Sequence, residues 1–256
     1  MKKTDTLITK ILKSGVITWV LLLAIWAFGA TFYTDDFLPG PLVTLKGAAK
    51  LIADGTLGKD IIVSLGRVMK GWLLGIAFAV PAGLIIGNFK VAKYIFEPFV
   101  NFFRFIPAIG FITLFLLWFG VGEESKVALI FYAVIFPVMI NTIAGVRSVD
   151  PALIEAAESM GAGTARKFFT VILPSAVPNM FTGIRLGLSG AIICIVAAEM
   201  LASSEGVGYL IYTSRMYYQT DWIFTGIFTL GVIGLIADKL LRFIGKKFLY
   251  RFGVRG

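Results

Sequence analysis

No histidine occurs in the 256 residues, and cysteine occurs once, at Cys194. The first absence excludes imidazole metal centres and imidazole acid–base catalysis; the second excludes an intrachain disulfide. Charged side chains make up only 15% of the chain, where a soluble domain carries about 25%. A phosphate-binding G-x-x-x-x-G-K-[ST] loop is missing too. The nearest glycine-rich stretch, Gly161-Ala162-Gly163-Thr164-Ala165-Arg166-Lys167, has the wrong spacing and no strand before it. The serines are isolated, with no base spaced to activate them, so neither catalytic residues nor metal ligands are expected.

What the chain has in abundance is apolar length. Hydrophobic residues reach 58% and the mean hydropathy is +0.88, and several runs suffice to cross a hydrocarbon core of about 30 Å. The expectation is an all-α membrane protein of about six transmembrane helices, near 15–33, 62–88, 104–120, 126–146, 176–201 and 221–245. The third span is the shortest. Glu97-Pro98 ahead of it suggests an interfacial segment that bends in at Ile106-Pro107. The first span has basic residues in front, but no small-residue cleavage site comes after it, so it reads as a retained helix. Residues 34–61 place Leu42, Leu45, Ala49 and Ile52 at helical spacing, an amphipathic segment against the outer surface. No soluble module is visible, and residues 1–256 read as one membrane domain.

A net charge of +9 suggests nucleic acid only until its distribution is traced. Lys2, Lys3, Lys10, Lys13, Lys90, Lys93, Arg147, Arg166, Lys167, Lys239, Arg242, Lys246, Lys247, Arg251 and Arg255 fall on one side when six helices are counted. Asp35, Asp36, Glu123, Glu124 and Glu205 fall on the other, with fewer bases. The positive-inside rule then puts both termini in the cytoplasm of a multi-pass plasma (inner) membrane protein, in contact with lipid and not with nucleic acid.

One polar interlude, residues 150–174, stands between two spans on the cytoplasmic side. Asp150 is a good N-cap acceptor and Pro151 suits the first helical position. Leu153, Ala156, Ala157 and Met160 come next at i, i+3, i+4 and i+7, with Glu155 and Glu158 on another face. Gly161 and Gly163 supply positive φ to end that helix, Thr164 caps the next, and Pro174 stops it. A helix pair of this shape is either a docking surface or an amphipathic loop on the membrane.

The same residues carry a resemblance. Glu155-Ala156-Ala157, three residues, Gly161, nine residues, Val171, then Leu173-Pro174 resembles the EAA motif of binding-protein-dependent ABC importer permeases, whose consensus has Ile in place of Val171. Phe37-Leu38-Pro39, Ser64-Leu65-Gly66-Arg67, Ile106-Pro107, Leu117-Trp118-Phe119-Gly120, Ala198-Glu199-Met200-Leu201 and Gly206-Val207-Gly208-Tyr209-Leu210 are similar to its nitrate, taurine and aliphatic-sulfonate branch. The resemblance implies a type I ABC importer (MetI-like) permease fold. It makes Glu155, Ala156, Ala157, Met160, Gly161, Leu173 and Pro174 the ATPase-coupling residues of a coupling helix. It also implies partners: a cytoplasmic ABC ATPase dimer holding ATP and Mg, a second copy of the permease, and an external solute-binding protein. The chain itself would hold no cofactor and catalyse no reaction, and the cargo would be a small anion or another small metabolite such as a vitamin precursor. An autonomous secondary transporter would show internal repeats and buried acidic residues, and only Glu199 approaches that description.

Two sets of intramembrane residues complete the reading. Gly71, Gly75, Ala79, Gly83 and Gly87 recur every four residues, a small stripe for helix packing, and Gly183 and Gly187 repeat the pattern in the fifth span. Arg185, Ser189, Glu199 and Asn141 are pathway candidates because polar groups in a membrane face partners or water. Arg67, Arg104 and Glu199 lie near span ends, where snorkelling explains them equally well. Arg185 either faces an anion or forms a structural salt bridge.

Overall fold

The computed structural model describes residues 15–254. Lys2, Lys3, Lys10, Lys13 and Arg255, whose charges helped to orient the chain, lie outside them. The described residues are helical throughout, with no strand: α1 (Val16–Ala30), α2 (Pro41–Ala53), α3 (Thr56–Asn88), α4 (Lys90–Phe103), α5 (Ile112–Phe119), α6 (Glu123–Arg147), α7 (Pro151–Ser159), α8 (Thr164–Lys167), α9 (Leu173–Ala202), α10 (Val207–Met216) and α11 (Thr220–Phe248). Two compact units can be distinguished: Met1–Lys59 with Leu210–Phe228, and Asp60–Tyr209 with Thr229–Gly256.

In the larger unit the glycine stripe does what its spacing promised. A β-carbon at Gly71 would stand 2.6 Å from Ile130, at Gly75 2.6 Å from Val134, at Gly83 2.7 Å from Thr142 and at Gly87 2.8 Å from Val146. Ala79 in the same row is fully buried. Every pair is separated by 59 residues, so α3 and α6 run parallel with their backbones in close approach. Gly183, Gly187 and Gly190 then seat α9 on Asn141, Val138 and Ala133 of α6. Three long helices thus share one core around Val134, Val138, Leu188 and Ile195.

Because α3 and α6 are parallel, the chain between them has to return through the height of the bundle. It does so in two pieces, α4 and the Ala108–Phe119 stretch, bent by 89°. Glu97 pairs with Arg147 at 2.8 Å, the Tyr132 hydroxyl donates to the Phe103 carbonyl at 2.8 Å, and Leu116 lies near Ser125 and Leu129. The pair therefore climbs α6 from its end to its start as a broken span. The sequence placed the bend at Ile106-Pro107, and Pro107 is the extended residue before the turn at Ala108; the helix before it, Lys90–Phe103, is longer than the entry segment expected. Three unbroken helices are long and apolar enough to cross a membrane, four with this pair, against the six expected. Of the other two, Val16–Ala30 has only 15 residues, and Thr220–Phe248 has 29, an uncharged run from Trp222 to Ala237 followed by Asp238, Lys239 and Arg242.

In the smaller unit, α2 is the helix expected within residues 34–61: Leu42, Leu45, Ala49 and Ile52 lie exposed along one side, and Thr44, Gly47 and Leu51 are buried on the other. Gly47 is the contact point: a β-carbon there would meet the Asp221 carboxylate at 2.6 Å. The Trp26 indole donates to the Pro39 carbonyl and stacks on Phe224 and Phe228.

Candidate functional site: a coupling segment and a buried charge knot

Residues 150–174 form the helix pair expected, with three differences. Asp150 accepts the Ala152 amide at 2.9 Å and Pro151 opens α7. At the other end Gly161 takes φ +75°, the Gly161 amide donates to the Glu158 carbonyl and the Ala162 amide to the Ala157 carbonyl, both at 2.9 Å. Those two bonds are a Schellman cap, which requires the left-handed residue. Gly163, however, is extended at φ −65°, and it rather than Thr164 stands at the N-cap of α8, without a side-chain hydrogen bond. Nor does Pro174 stop the helix: helical structure runs unbroken from Thr164 to Ala202. A π-helical turn over Phe168–Ile172 shifts the hydrogen-bond register just before the proline, and Pro174 occupies the start of α9, where its missing N–H is tolerated.

The exposure of this segment matters most. Of the apolar row Leu153, Ala156, Ala157 and Met160, only Ala157 is buried, and Met160 is 78% exposed. Glu155, Ala156 and Gly161 are exposed as well, while Leu173 and Pro174 are half-buried at the root of α9. Glu158 pairs with Lys167, tying α8 to α7, and Glu155 is left facing outward.

The four pathway candidates are not gathered into one place. Arg185 donates from Nε and Nη2 to Oδ1 of Asp238 at 2.9 and 2.8 Å, and Arg242 pairs with the other oxygen at 2.7 Å. The guanidinium thus forms the salt bridge that stood as its structural alternative, and the three groups together carry one net positive charge. Ser189 is exposed one turn further on, its hydroxyl 3.4 Å from the Arg185 carbonyl. Asn141 turns back on its own helix and donates to the Pro137 carbonyl at 2.8 Å. Glu199 is fully buried.

Glu199 is the centre of a constellation that reading from span ends missed. Arg67, itself 3% exposed, donates to Glu199 at 2.7 Å, to the Glu205 carbonyl at 2.8 Å and, through Nε and Nη2, to both oxygens of Glu123 at 2.8 and 2.7 Å. The Ser64 hydroxyl and the Gly208 amide donate to Glu199 at 2.9 Å. The Ser64 oxygen accepts the Val207 amide, and Asp60 accepts that of Gly206. The first amides of α10 are therefore capped by side chains from α3 and α9, a helix start closed through tertiary contacts. Gly206 at φ +114° lies on the Glu199 carboxylate, where a β-carbon has no room. The usable sequence signal was that Ser64–Arg67, Ala198–Leu201 and Gly206–Leu210 all belonged to one resemblance; distant motifs of that kind meet in space.

Residues 79–250 match the family described as binding-protein-dependent transport system inner membrane component. The chain belongs to that family. Its relatives include a probable ABC transporter permease of Brucella melitensis, 39% identical with 89% of each chain covered. A putative aliphatic sulfonates transport permease of Bacillus subtilis is 35% identical over 92% of this chain and 86% of its own length. The taurine transport permease of Escherichia coli is 33% identical over 90% and 86%. Among solved structures, the MetNI methionine ABC transporter in an inward-facing form matches with a TM-score of 0.58 at 19% identity, covering 74% of this chain and 92% of that one. At that identity the likeness shows the fold, which is the type I ABC importer permease fold expected. The permease is a transport component and not an enzyme, and its family resides in the inner membrane.

Proposed function

We propose that two copies of this permease enclose the translocation pathway of an ATP-driven importer for a small anion, of the kind represented by taurine, aliphatic sulfonates, nitrate or bicarbonate. A separate cytoplasmic ATPase dimer binds ATP and Mg and hydrolyses the nucleotide, and an external solute-binding protein delivers the cargo. Both termini and the 150–174 segment lie in the cytoplasm, the side to which the basic residues are biased.

The observation that carries this reading is the bare apolar face of α7. A rigid helix, capped at both ends, leaves Leu153, Ala156 and Met160 uncovered by the rest of the chain beside Glu155, a face shaped for a groove on a partner. The anion class is supported by the relatives named for taurine and sulfonates. The test is reconstitution of the permease with a candidate ATPase and the solute-binding protein encoded beside it. ATP-dependent uptake of labelled taurine or a sulfonate is expected. Uptake that proceeds without the ATPase assigns an autonomous transporter, and ATP-dependent uptake of a neutral metabolite alone assigns a different cargo.

A further inference from the structure

Arg104 is the one charged residue in positions 98–122. Spacing placed it near the end of a span, where a long side chain reaches water; the structure places it at the break between the two halves of one. The Phe103 carbonyl beside it accepts the Tyr132 hydroxyl at 2.8 Å, and Tyr132 stands six residues after Lys126 and fifteen before Arg147 on α6. At 1.5 Å per residue, that is about 9 Å from the charges at one end of α6 and about 22 Å from those at the other. Arg104 leaves the backbone inside the apolar layer. The backbone is irregular there too. The Phe105 amide donates to the Phe102 carbonyl at 3.3 Å and the Ile106 amide to the Phe103 carbonyl at 3.1 Å, and the next turn closes only with the Gly110 amide on the Pro107 carbonyl at 2.9 Å. Among the described residues, the carbonyls of Arg104, Phe105 and Ile106 accept no backbone amide. At membrane depth, backbone of this kind is covered by protein or lines water and does not face lipid. Arg104, Phe105 and Pro107 are exposed on this chain, so its own helices do not supply the cover.

The guanidinium also has no counterion among the described residues. Its contact is the Phe105 ring, 4.7 Å away. The carboxylates before and after it in the chain are engaged, Glu97 by Arg147 and Glu123 by Arg67. Residues 71–89, 127–146, 186–198 and 222–237 hold no charged side chain at all. An unpaired arginine in the apolar layer is costly, and such residues mark solute pathways. The stacked ring occupies a face of the guanidinium and leaves its N–H edge open, the edge that holds an oxyanion through two parallel hydrogen bonds. Phe102 and Phe105 are exposed at the same break, and they offer apolar surface to the body of the solute.

We propose that Arg104 and the 104–107 break form an oxyanion subsite inside the translocation pathway, which takes a sulfonate group on the guanidinium and a short apolar body against Phe102 and Phe105. This rests on the importer reading and narrows its cargo to an oxyanion carried on a small apolar group. The experiment uses the permease reconstituted in vesicles with its ATPase and the solute-binding protein encoded beside it, with labelled ethanesulfonate as the probe. Arg104→Gln should co-purify with the ATPase and unfold at an unchanged or higher temperature, yet lower uptake about tenfold at an equal ATPase rate. Arg104→Lys should retain part of the uptake. In a Cys194→Ala background, which removes the one native thiol, Arg104→Cys should react with water-soluble methanethiosulfonates, and the cationic reagent but not the anionic one should restore uptake. Uptake by Arg104→Gln equal to that of the unsubstituted permease overturns the proposal. So does a decrease matched by loss of assembly, and so does a thiol that no water-soluble reagent reaches, which assigns the arginine to lipid or to a seam between copies. If the unsubstituted permease takes up no solute with ATP, the importer reading fails instead; if it takes up only a neutral solute, that reading stands and the oxyanion subsite falls.

Discussion

Arg67 and Glu199, 132 residues apart, face each other at 2.7 Å with neither side chain open to water. Arg67 has a second carboxylate partner, Glu123, whose side chain is 50% exposed. Cutting the two pairs has unequal consequences. Removing Glu199 takes away the buried acceptor shared by Arg67, the Ser64 hydroxyl and the Gly208 amide, a loss of about 3–5 kcal/mol, whereas removing Glu123 breaks a pair whose outer half water can replace, a loss of about 1 kcal/mol or less. Glu199→Ala should therefore lower the unfolding temperature of the purified permease far more than Glu123→Ala. Equal losses in differential scanning fluorimetry would refute the ranking.

The Schellman cap at Gly161 carries a second expectation. A β-carbon there meets nothing within 4 Å, so Gly161→Val is resisted only by the backbone, at about 1–2 kcal/mol. The variant should insert normally and recruit less ATPase, because the exit of the chain from α7 is re-aimed. Co-purification of the ATPase at the unsubstituted yield would count against this.

Glycines on one helix should respond in opposite directions. Gly66 of α3 has open space around its missing side chain, whereas a methyl at Gly75 enters Val134. Gly66→Ala should be neutral or stabilising by about 0.5–1 kcal/mol through helix propensity. Gly75→Ala should cost about 1–3 kcal/mol from overpacking. Unfolding in detergent measures both, and a loss at Gly66 would reveal a partner packed on that face.

Arg185 and Asp238 separate electrostatic from structural roles. If positive charge near α9 favours an anionic cargo, Arg185→Ala should reduce uptake without preventing assembly, Arg185→Lys should retain part of it, and Asp238→Asn, which frees positive charge, should not reduce it. Equal decreases with Arg185→Ala and Asp238→Asn in reconstituted vesicles would make the pair a strut.

Local and periodic features were legible in the chain alone. The Asp150–Pro151 helix start, the positive φ of Gly161 and the four-residue glycine stripe were legible because each depends on spacing within one helix, where geometry repeats every turn. What the stripe packs against was not legible, since partner helices are chosen by surface fit, and only the tertiary structure set Gly71 on Ile130 and Gly87 on Val146. The stop assigned to Pro174 failed for a related reason: a π-helical turn absorbed the missing hydrogen bond, and such a turn has no fixed sequence signature. The apolar row of α2 was legible from its helical spacing, but its other side was not: Gly47 is buried for the close approach it permits to Asp221, a contact that no spacing within the helix announces. Arg67 and Glu199 show the limit most clearly. Sequence determined that both charges were costly where they stand, and only the fold, by bringing three helices together at one end, decided that each is the answer to the other.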